Sequence, residues 1–307
     1  MSKGPKLLLI DGNNMAHRVY WTNKELSHQG RSTGLIYGFF KQLVSLHKHW
    51  EDYFRIIVWD GGYERRLRES EEAVKQGLIP SAYKATRHKN EEDMDADELQ
   101  KLEDIHEQIA VVREGLKLTR CLQVRMEGVE ADDILYSYAK HNLKWNGDSI
   151  IVSSDQDFYQ ALDDGIRIYD AMKKEIWTKE RFTVEMGFDP ELWVDAGAIM
   201  GEVGASKDNI HGVDGWGPVT AVKYVRKYGD VDAIIAALQE KKKRGKREET
   251  FLNSIPRLRL AKSLKAMDDI PDLPKPRVLR RLTKEELEKF FLKFGFASLL
   301  KDIWRLI

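Results

Sequence analysis

Residues 128–133 read Gly-Val-Glu-Ala-Asp-Asp, and residues 153–157 read Ser-Ser-Asp-Gln-Asp. These two stretches place five carboxylates within 28 residues. The second stretch follows residues 149–152, a short apolar run of the kind that forms a buried strand. Acids that gather at the carboxyl end of a strand, where a sheet opens to solvent, repel each other unless cations hold them. The two stretches therefore predict a divalent-metal site.

Other apolar runs in the chain also end on acids. Residues 7–10 lead into Asp11, and residues 56–59 lead into Asp60. Helical periodicity occupies the intervals at residues 34–50, 95–118 and 130–144. Strands that alternate with helices predict an α/β fold with a mostly parallel sheet covered on both faces. Sites in such sheets lie beyond the carboxyl ends of the strands, so we expect Asp11, Asp60 and Asp155 to converge.

Length and composition limit the class of protein. The 307-residue chain is long enough for one large or two modest domains, and its 50 basic and 50 acidic side chains cancel. A net charge of zero neither favours nor excludes a nucleic-acid partner. Cys121 is the only cysteine, which is typical of a reducing compartment. The absence of a signal peptide and of any long apolar segment predicts a cytoplasmic protein with no membrane partner.

Two regions stand apart from the strand-and-helix alternation. Residues 63–94 form a long charged insertion, and residues 64–90 within it hold seven Lys or Arg against four Glu. An insertion of this length is usually functional or disordered. From about residue 178 the pattern is helical only, and residues 212–218 read Gly-Val-Asp-Gly-Trp-Gly-Pro before a helix predicted over 219–228.

Eight motifs, in register along nearly the whole chain, resemble the 5′-nuclease family. This family includes the 5′–3′ exonuclease domain of bacterial DNA polymerase I and free-standing phage flap endonucleases and exonucleases. The motifs are Leu-Ile-Asp-Gly-Asn-Asn (9–14), Trp-Asp-Gly-Gly (59–62), Tyr-Lys-Ala-Thr-Arg (83–87), Gly-Val-Glu-Ala-Asp-Asp (128–133), Ser-Asp-Gln-Asp-Phe-Tyr-Gln (154–160), Ile-Met-Gly (199–201), Asp-Asn-Ile-His-Gly-Val (208–213) and Gly-Trp-Gly-Pro (215–218). No polymerase domain follows, so we expect a free-standing, phage-like member that works in the host cytoplasm.

The resemblance implies both architecture and activity. Residues 1–177 would form a PIN-like catalytic domain with a helical arch or clamp at 63–94. Residues 178–307 would form a helical domain that binds duplex DNA through a helix–hairpin–helix variant near 208–228. The implied activity is that of a monomeric, structure-specific 5′ nuclease. It would cut DNA at 5′ ends, nicks or flaps, and RNA primers in RNA/DNA hybrids, leaving a 5′-phosphate and a 3′-hydroxyl. Exonuclease and flap-endonuclease modes stay open.

The resemblance assigns the acids to two Mg²⁺ ions, which Mn²⁺ can replace. The first ion takes Asp11, Asp60, Glu130 and Asp132, and the second takes Asp155, Asp157 and Asp208, with Asp132 or Asp133 bridging or in an outer position. Hard oxygen ligands suit these ions, and two ions about 4 Å apart can activate water and stabilise the leaving 3′ oxygen. Helix capping is the alternative for single acids. The family usually has Gly-Asp where this chain has Gly201-Glu202, so the second ligand set departs from the family pattern.

The resemblance also assigns contacts with the substrate. Lys84 and Arg87 would be catalytic cations at the scissile phosphate. Tyr83 would stack on a base or pack internally, with equal weight. Further contacts with nucleic acid would come from Arg65 and Arg66 at the base of the arch, from the hairpin glycines Gly212, Gly215 and Gly217, and from Lys223. A K⁺ ion bound by hairpin carbonyls is a further implied cofactor.

Two other functions compete with this prediction. A catalytically inactive DNA-structure-binding protein would share the fold, but every acid of the first ligand set is present. A small PIN-type ribonuclease would share only the carboxylate core. The glycine-rich hairpin and the long helical half argue for duplex DNA instead.

Overall fold

A computed structural model of the chain describes residues 4–85, 94–203, 207–275 and 283–307. Its strands are β1 (Lys6–Asp11), β2 (Ser27–His28), β3 (Arg31–Ser32), β4 (Phe54–Val58), β5 (Leu122–Val124), β6 (Asp148–Val152), β7 (Ile166–Asp170) and β8 (Glu175–Trp177). Six of them form one sheet in the order β5-β4-β1-β6-β7-β8, and β2 pairs with β3 separately. Every neighbouring pair in the large sheet is parallel except β7 and β8. The predicted mostly parallel α/β sheet is confirmed.

Helices surround this sheet and build the second half of the chain. They are α1 (Gly12–Asn23), α2 (Gly34–His49), α3 (Glu64–Lys75), α4 (Ala96–Leu116), α5 (Ala131–Lys144), α6 (Lys179–Met186), α7 (Trp193–Met200), α8 (Pro218–Tyr228), α9 (Val231–Glu240), α10 (Lys246–Asn253), α11 (Ile255–Lys265) and α12 (Lys284–Lys293). Short 3-10 helices cover Gln156–Ala161, Pro190–Leu192 and Ala297–Arg305. Within the described ranges, no helix has both the length and the apolar character to cross a bilayer.

The central strands bury both of their faces. Leu7 and Leu9 of β1 pack into the core with α5 and the helical half, while Leu8 and Ile10 pack into the core with α1, α2 and α12. Successive side chains of a strand point to opposite faces, so a strand covered on both sides must be apolar throughout. This is why the continuous apolar runs of the sequence mark the strands correctly and why the acids lie beyond them.

The end of the chain returns to the sheet. Phe291 of α12 packs edge-on against Phe40 of α2, with 5.2 Å between ring centroids, and Leu299 and Ile303 join the same core. The sequence predicted a helical DNA-binding unit over residues 178–307, but α12 and the last 3-10 helix belong to the packing of the sheet. The apolar periodicity of these segments predicts that one face of each is buried. It does not predict whether that face packs against the sheet or against the other helices of the second half.

Candidate active site

The carboxyl edge of the sheet brings together acids from four separate segments. Asp11 ends β1, Asp60 follows β4, Asp132 lies in the first turn of α5, and Asp155 follows β6. Asp11 accepts hydrogen bonds from the Asn14 amide at 2.9 Å and the Ser153 hydroxyl at 3.1 Å. Asp60 accepts from the amide of Ala131 at 2.9 Å, which ties the end of β4 to the start of α5. We call Asp11, Asp60 and Asp132 the first cluster.

Two acids of the first cluster, Asp11 and Asp132, have desolvated carboxyl groups, whereas Asp60 is exposed. Burial first, and then the charge of Asp60, raise the pKa of Asp11 to about 7. Burial and the charges of Asp11 and Asp155 raise the pKa of Asp132 well above its ordinary value. Much of Asp155 faces solvent, yet its carboxyl group is desolvated, and this together with the charge of Asp157 raises its pKa to about 6. The raised pKa values of Asp11, Asp132 and Asp155 show that nearby negative charges and burial destabilise the ionised form of each carboxyl group.

Within the described residues, no lysine or arginine forms an ion pair with Asp11, Asp60, Asp132 or Asp155. Their charges act on one another across the edge of the sheet. Hard, crowded carboxylate oxygens without a protein cation are the donor set that Mg²⁺ and Mn²⁺ prefer. The first cluster thus offers oxygen ligands of the kind that a divalent ion takes, although its three carboxylates do not lie within 4.8 Å of one another.

A second group of acids lies on the other side of Asp155. Asp157, Glu202 and Asp208 each have a carboxylate oxygen within 4.8 Å of the others, and we call these residues the second cluster. Glu202 is positioned by a backbone bridge to Ile210, with N–O distances of 2.6 and 3.0 Å. The sequence left open whether Glu202, in place of the usual Asp, reaches this site. Its carboxylate does lie with Asp157 and Asp208.

Sequence reasoning missed Lys265, the last residue of α11. Its ammonium group lies 2.6 Å from Asp157 and 3.1 Å from Glu202, and its side chain is 6% exposed. Burial alone would lower the pKa of Lys265, but the charges of Asp157 and Glu202 outweigh this and raise it, so the group stays charged. A lone lysine about a hundred residues along the chain from Asp157 carries no local signal of such a contact.

Arg66 organises a third group of charges, the Arg66 network, with Glu130 and Asp133. Its guanidinium donates to Glu130 at 2.6 Å and to both oxygens of Asp133 at 2.6 and 2.7 Å. It also donates to the carbonyls of Leu264 and Ala266. These bonds fasten α3 to α5 and to the end of α11.

The Arg66 network corrects two predictions. Arg66 was expected to bind nucleic acid, but it is only 5% exposed and its donors are committed within the protein. Asp133 was predicted as a metal ligand, but both its oxygens are taken by Arg66, and one also accepts from the amide of Asp268. Adjacent helical residues point about 100° apart, so Asp132 can face the first cluster while Asp133 faces Arg66. Arg65 is half-buried and pairs with Asp268 at 2.5 Å.

Lys84 and Tyr83 lie beside Glu130. The Lys84 ammonium group pairs with the Glu130 carboxylate and sits 5.3 and 5.1 Å from the ring centroids of Tyr63 and Tyr83. Tyr83 is 4% exposed, and its hydroxyl donates to Asp208 at 2.9 Å. The buried ring packs internally, so base stacking by Tyr83, one of its two expected roles, is wrong. Arg87 lies outside the described residues.

The glycine-rich turn joins α7 to α8. Gly212 lies against Gly201, where a Cβ would come within 2.5 Å of a backbone nitrogen, so the two arms of the turn need glycine to pack. Gly215 has φ +76°, a conformation that favours glycine. Gly217 faces open space before Pro218, the first residue of α8. Lys223 lines an open groove on α8 together with the 86%-exposed Val219.

Comparison with known proteins covers both halves of the chain. Residues 6–187 match the family model of the 5′–3′ exonuclease N-terminal resolvase-like domain, and residues 188–287 match that of the 5′–3′ exonuclease C-terminal SAM fold. A 5′–3′ exonuclease of Aquifex aeolicus is 28% identical over 302 residues, which span 97% of this chain and 94% of that protein. The thermostable DNA polymerase I of Thermus thermophilus is 29% identical over 97% of this chain, which spans only 33% of the polymerase.

Solved structures share the fold at lower identity. T5 5′-exonuclease with bound divalent metal ions (zinc) has a TM-score of 0.72 and 22% identity, covering 98% of this chain and 99% of that one. The catalytic core of Rad2 in complex with a DNA substrate has a TM-score of 0.60 and 16% identity, covering 99% of this chain and 92% of that one. The architecture of both halves is therefore shared with these proteins.

Proposed function

Because the chain belongs to the 5′–3′ exonuclease family, we propose that it is a structure-specific, divalent-metal-dependent 5′ nuclease. It would hydrolyse phosphodiester bonds near the 5′ ends or flaps of DNA, and in RNA primers paired to DNA. The products would be a 5′-phosphate and a 3′-hydroxyl. The observation that carries this proposal is the first cluster. Its acids meet at one edge of the sheet, burial and neighbouring charges raise the pKa of Asp11 and of Asp132, no described cation forms an ion pair with the cluster, and Lys84 pairs with Glu130 beside it.

The proposed ligand sets follow the placement of the acids. Asp11, Asp60, Asp132 and Glu130 would hold one Mg²⁺ or Mn²⁺ ion, and Asp155, Asp157, Asp208 and Glu202 would surround the position of a second. When bound, such ions polarise the phosphate and increase the acidity of a coordinated water. Glu130 would share its carboxylate with Arg66 and Lys84, which hold it beside Asp132.

Lys84 would supply positive charge where negative charge grows on the scissile phosphate. Its backbone has φ +55°, an uncommon conformation for a lysine, and its amide donates to the carbonyl of Asp208 at 2.9 Å. The rings of Tyr63 and Tyr83 flank its ammonium group. The fold thus holds this side chain in one place between the two clusters, as a catalytic cation requires.

The path proposed for DNA runs from the acids to α8. One groove is lined by Asp155, Asp157 and Glu202 and continues to Pro218. The amides at the start of α8, next to Gly217, can bind a duplex phosphate, and Lys223 lies one turn further along. A helix–hairpin–helix unit near 208–228, a K⁺ ion at its turn, and an arch at 63–94 remain part of the proposal. Residues 86–93 of that arch lie outside the described ranges.

Three substrates test the proposal: a 5′-labelled flap, a nicked duplex and an RNA/DNA hybrid, each incubated with Mg²⁺ and with EDTA. We expect cleavage with Mg²⁺ alone, and the lengths of the products separate exonuclease from flap-endonuclease action. Equal cleavage in EDTA would refute the metal-dependent mechanism. Binding of all three substrates without cleavage would support the inactive structure-binding alternative.

A further inference from the structure

Lys265 places a protein cation inside the second cluster. Its Nζ lies 2.6 and 2.8 Å from the two carboxylate oxygens of Asp157 and 3.1 Å from Glu202. The side chain is 6% exposed, whereas the Glu202 side chain is 31% exposed. Burying an ammonium group costs free energy unless carboxylates pair with it. The contacts with Asp157 and Glu202 therefore hold the Lys265 side chain within the second cluster.

The backbone around Lys265 is fixed as well. The Gln160 amide group donates to the Lys265 carbonyl at 3.1 Å and accepts from the Met267 amide at 2.9 Å. Arg66 holds the carbonyls of Leu264 and Ala266 at 2.9 and 2.8 Å. These hydrogen bonds therefore hold the backbone of Lys265 beside the second cluster.

A divalent ion at the second cluster would need the oxygens that Lys265 already contacts. Asp157 offers both of its oxygens to the ammonium group, so an incoming ion must displace it or share Asp157 with it. Asp11, Asp60 and Asp132 of the first cluster form no ion pair with a described lysine or arginine, whereas Glu130 beside them pairs with Arg66 and Lys84. The second cluster thus has a cation in contact with two of its three acids, whereas no described cation pairs with the three acids of the first cluster.

We propose that Lys265 is the resident cation of the second cluster in the substrate-free protein. The chain then binds one divalent ion tightly, at the first cluster, and a second ion only weakly, in competition with the ammonium group. Lys265 acts as a positioning residue, because it keeps Asp157 and Glu202 together when the second ion is absent. This inference rests on the proposed function, since it concerns the same metal-binding acids.

The test is a titration of the metal-free protein with Mn²⁺, with unbound ion measured by electron paramagnetic resonance. The wild-type protein is expected to bind one Mn²⁺ per chain tightly. Lys265→Met removes the competitor and should add a second bound ion, with an affinity at least about tenfold above that of the wild-type second site. Lys265→Arg keeps the charge and should stay at one ion.

Lys262→Met is the matched control. Lys262 lies one turn earlier on α11 and pairs with Asp195 at 2.7 Å, away from both clusters, so its loss should leave the stoichiometry at one. Two tightly bound ions in the wild-type protein would overturn the inference, as would a Lys265→Met stoichiometry that stays at one. The wild-type titration decides by itself if Lys265→Met does not fold. Failure of the proposed function would appear separately, as absence of cleavage of the flap substrate.

Discussion

The first cluster and the Arg66 network are built from the same kind of side chain and differ in countercharge. Glu130 and Asp133 lie within hydrogen-bond distance of a buried guanidinium, and Arg66 joins three segments of the chain through them. The charges of other acids act on Asp11 and Asp132 instead, and no described arginine or lysine pairs with them. Acids that the fold neutralises hold the structure together, and Glu130 does so while it lies beside the proposed first ion. Acids that it leaves uncompensated favour a cation from solution.

The largest expected effect comes from a change at the junction of the two clusters. Asp155→Asn should lower kcat on a 5′ flap at least about a hundredfold, because Asp155 lies between both groups of acids and an amide is a poor ligand for Mg²⁺. Asp163→Asn is the control, since Asp163 pairs with Lys140 away from both clusters. Steady-state cleavage of the flap with substrate in excess gives kcat for both variants. Wild-type turnover by Asp155→Asn would refute the proposed site.

A substitution in the Arg66 network should lower the free energy of unfolding and not only the catalytic rate. Arg66→Met leaves Glu130 and Asp133 buried without their common cation, and the free energy of unfolding should fall by about 3–5 kcal/mol. Arg68, two residues away and exposed, is the control, and Arg68→Met should change it by less than about 0.5 kcal/mol. Urea denaturation measures both variants. Equal midpoints would show that the network contributes no net stability.

Lys84 tests whether a cation beside the first cluster serves the reaction. Lys84→Met should lower kcat by about a hundredfold with little change in DNA affinity, since one charge near the phosphate acts mainly on the transition state. Lys117→Met, at an exposed position at the end of α4, should leave both quantities unchanged. A loss confined to affinity would make Lys84 a binding residue instead.

The uncompensated cluster also predicts how stability depends on pH. Asp11 loses its proton near the ordinary value of 3.8 in the unfolded chain, but near 7 in the folded protein. The folded state holds more protons between these values, so its melting temperature in EDTA should fall as the pH rises from about 5 to about 7, and level off above. Added Mg²⁺ binds the deprotonated acids, so its stabilising effect should grow over the same range. Scanning calorimetry measures both trends.

Asp11→Asn is the control for this pH dependence. The amide does not titrate, so the slope of melting temperature against pH in EDTA should become shallower than that of the wild-type protein. A slope that is unchanged in the variant would mean that the burial of Asp11 does not govern the acid dependence of the free protein.

The features that the sequence predicted correctly are those with a local cause. Apolar runs that end on Asp11, Asp60 and Asp155 have this pattern because the strands are buried on both faces and stop at the same edge. The motifs also identified the family correctly, because each of them is a short run of neighbouring residues. The countercharges depend on contacts across many residues: Arg66 meets Asp133 67 positions away, and Lys265 meets Asp157 108 positions away. No periodicity or spacing encodes such pairs, so Arg66 was assigned to DNA and Lys265 was missed.

The smallest expected effect lies on the exposed face of α8, which carries none of the clustered acids. Lys223 lines an open groove at the start of this helix, so it would contact a duplex phosphate as a solvent-exposed charge. Lys223→Ala should weaken binding of every duplex similarly, with kcat unchanged. The slope of log K against log salt should decrease in magnitude by about 1, as expected for the loss of one phosphate contact. Lys301→Ala, at an exposed position on the last 3-10 helix, should alter neither quantity. Fluorescence anisotropy across a salt series measures both variants. If Lys223→Ala keeps the salt slope of the wild-type protein, the duplex binds to another face of the protein. The proposed role of the acidic clusters would not be affected by that result.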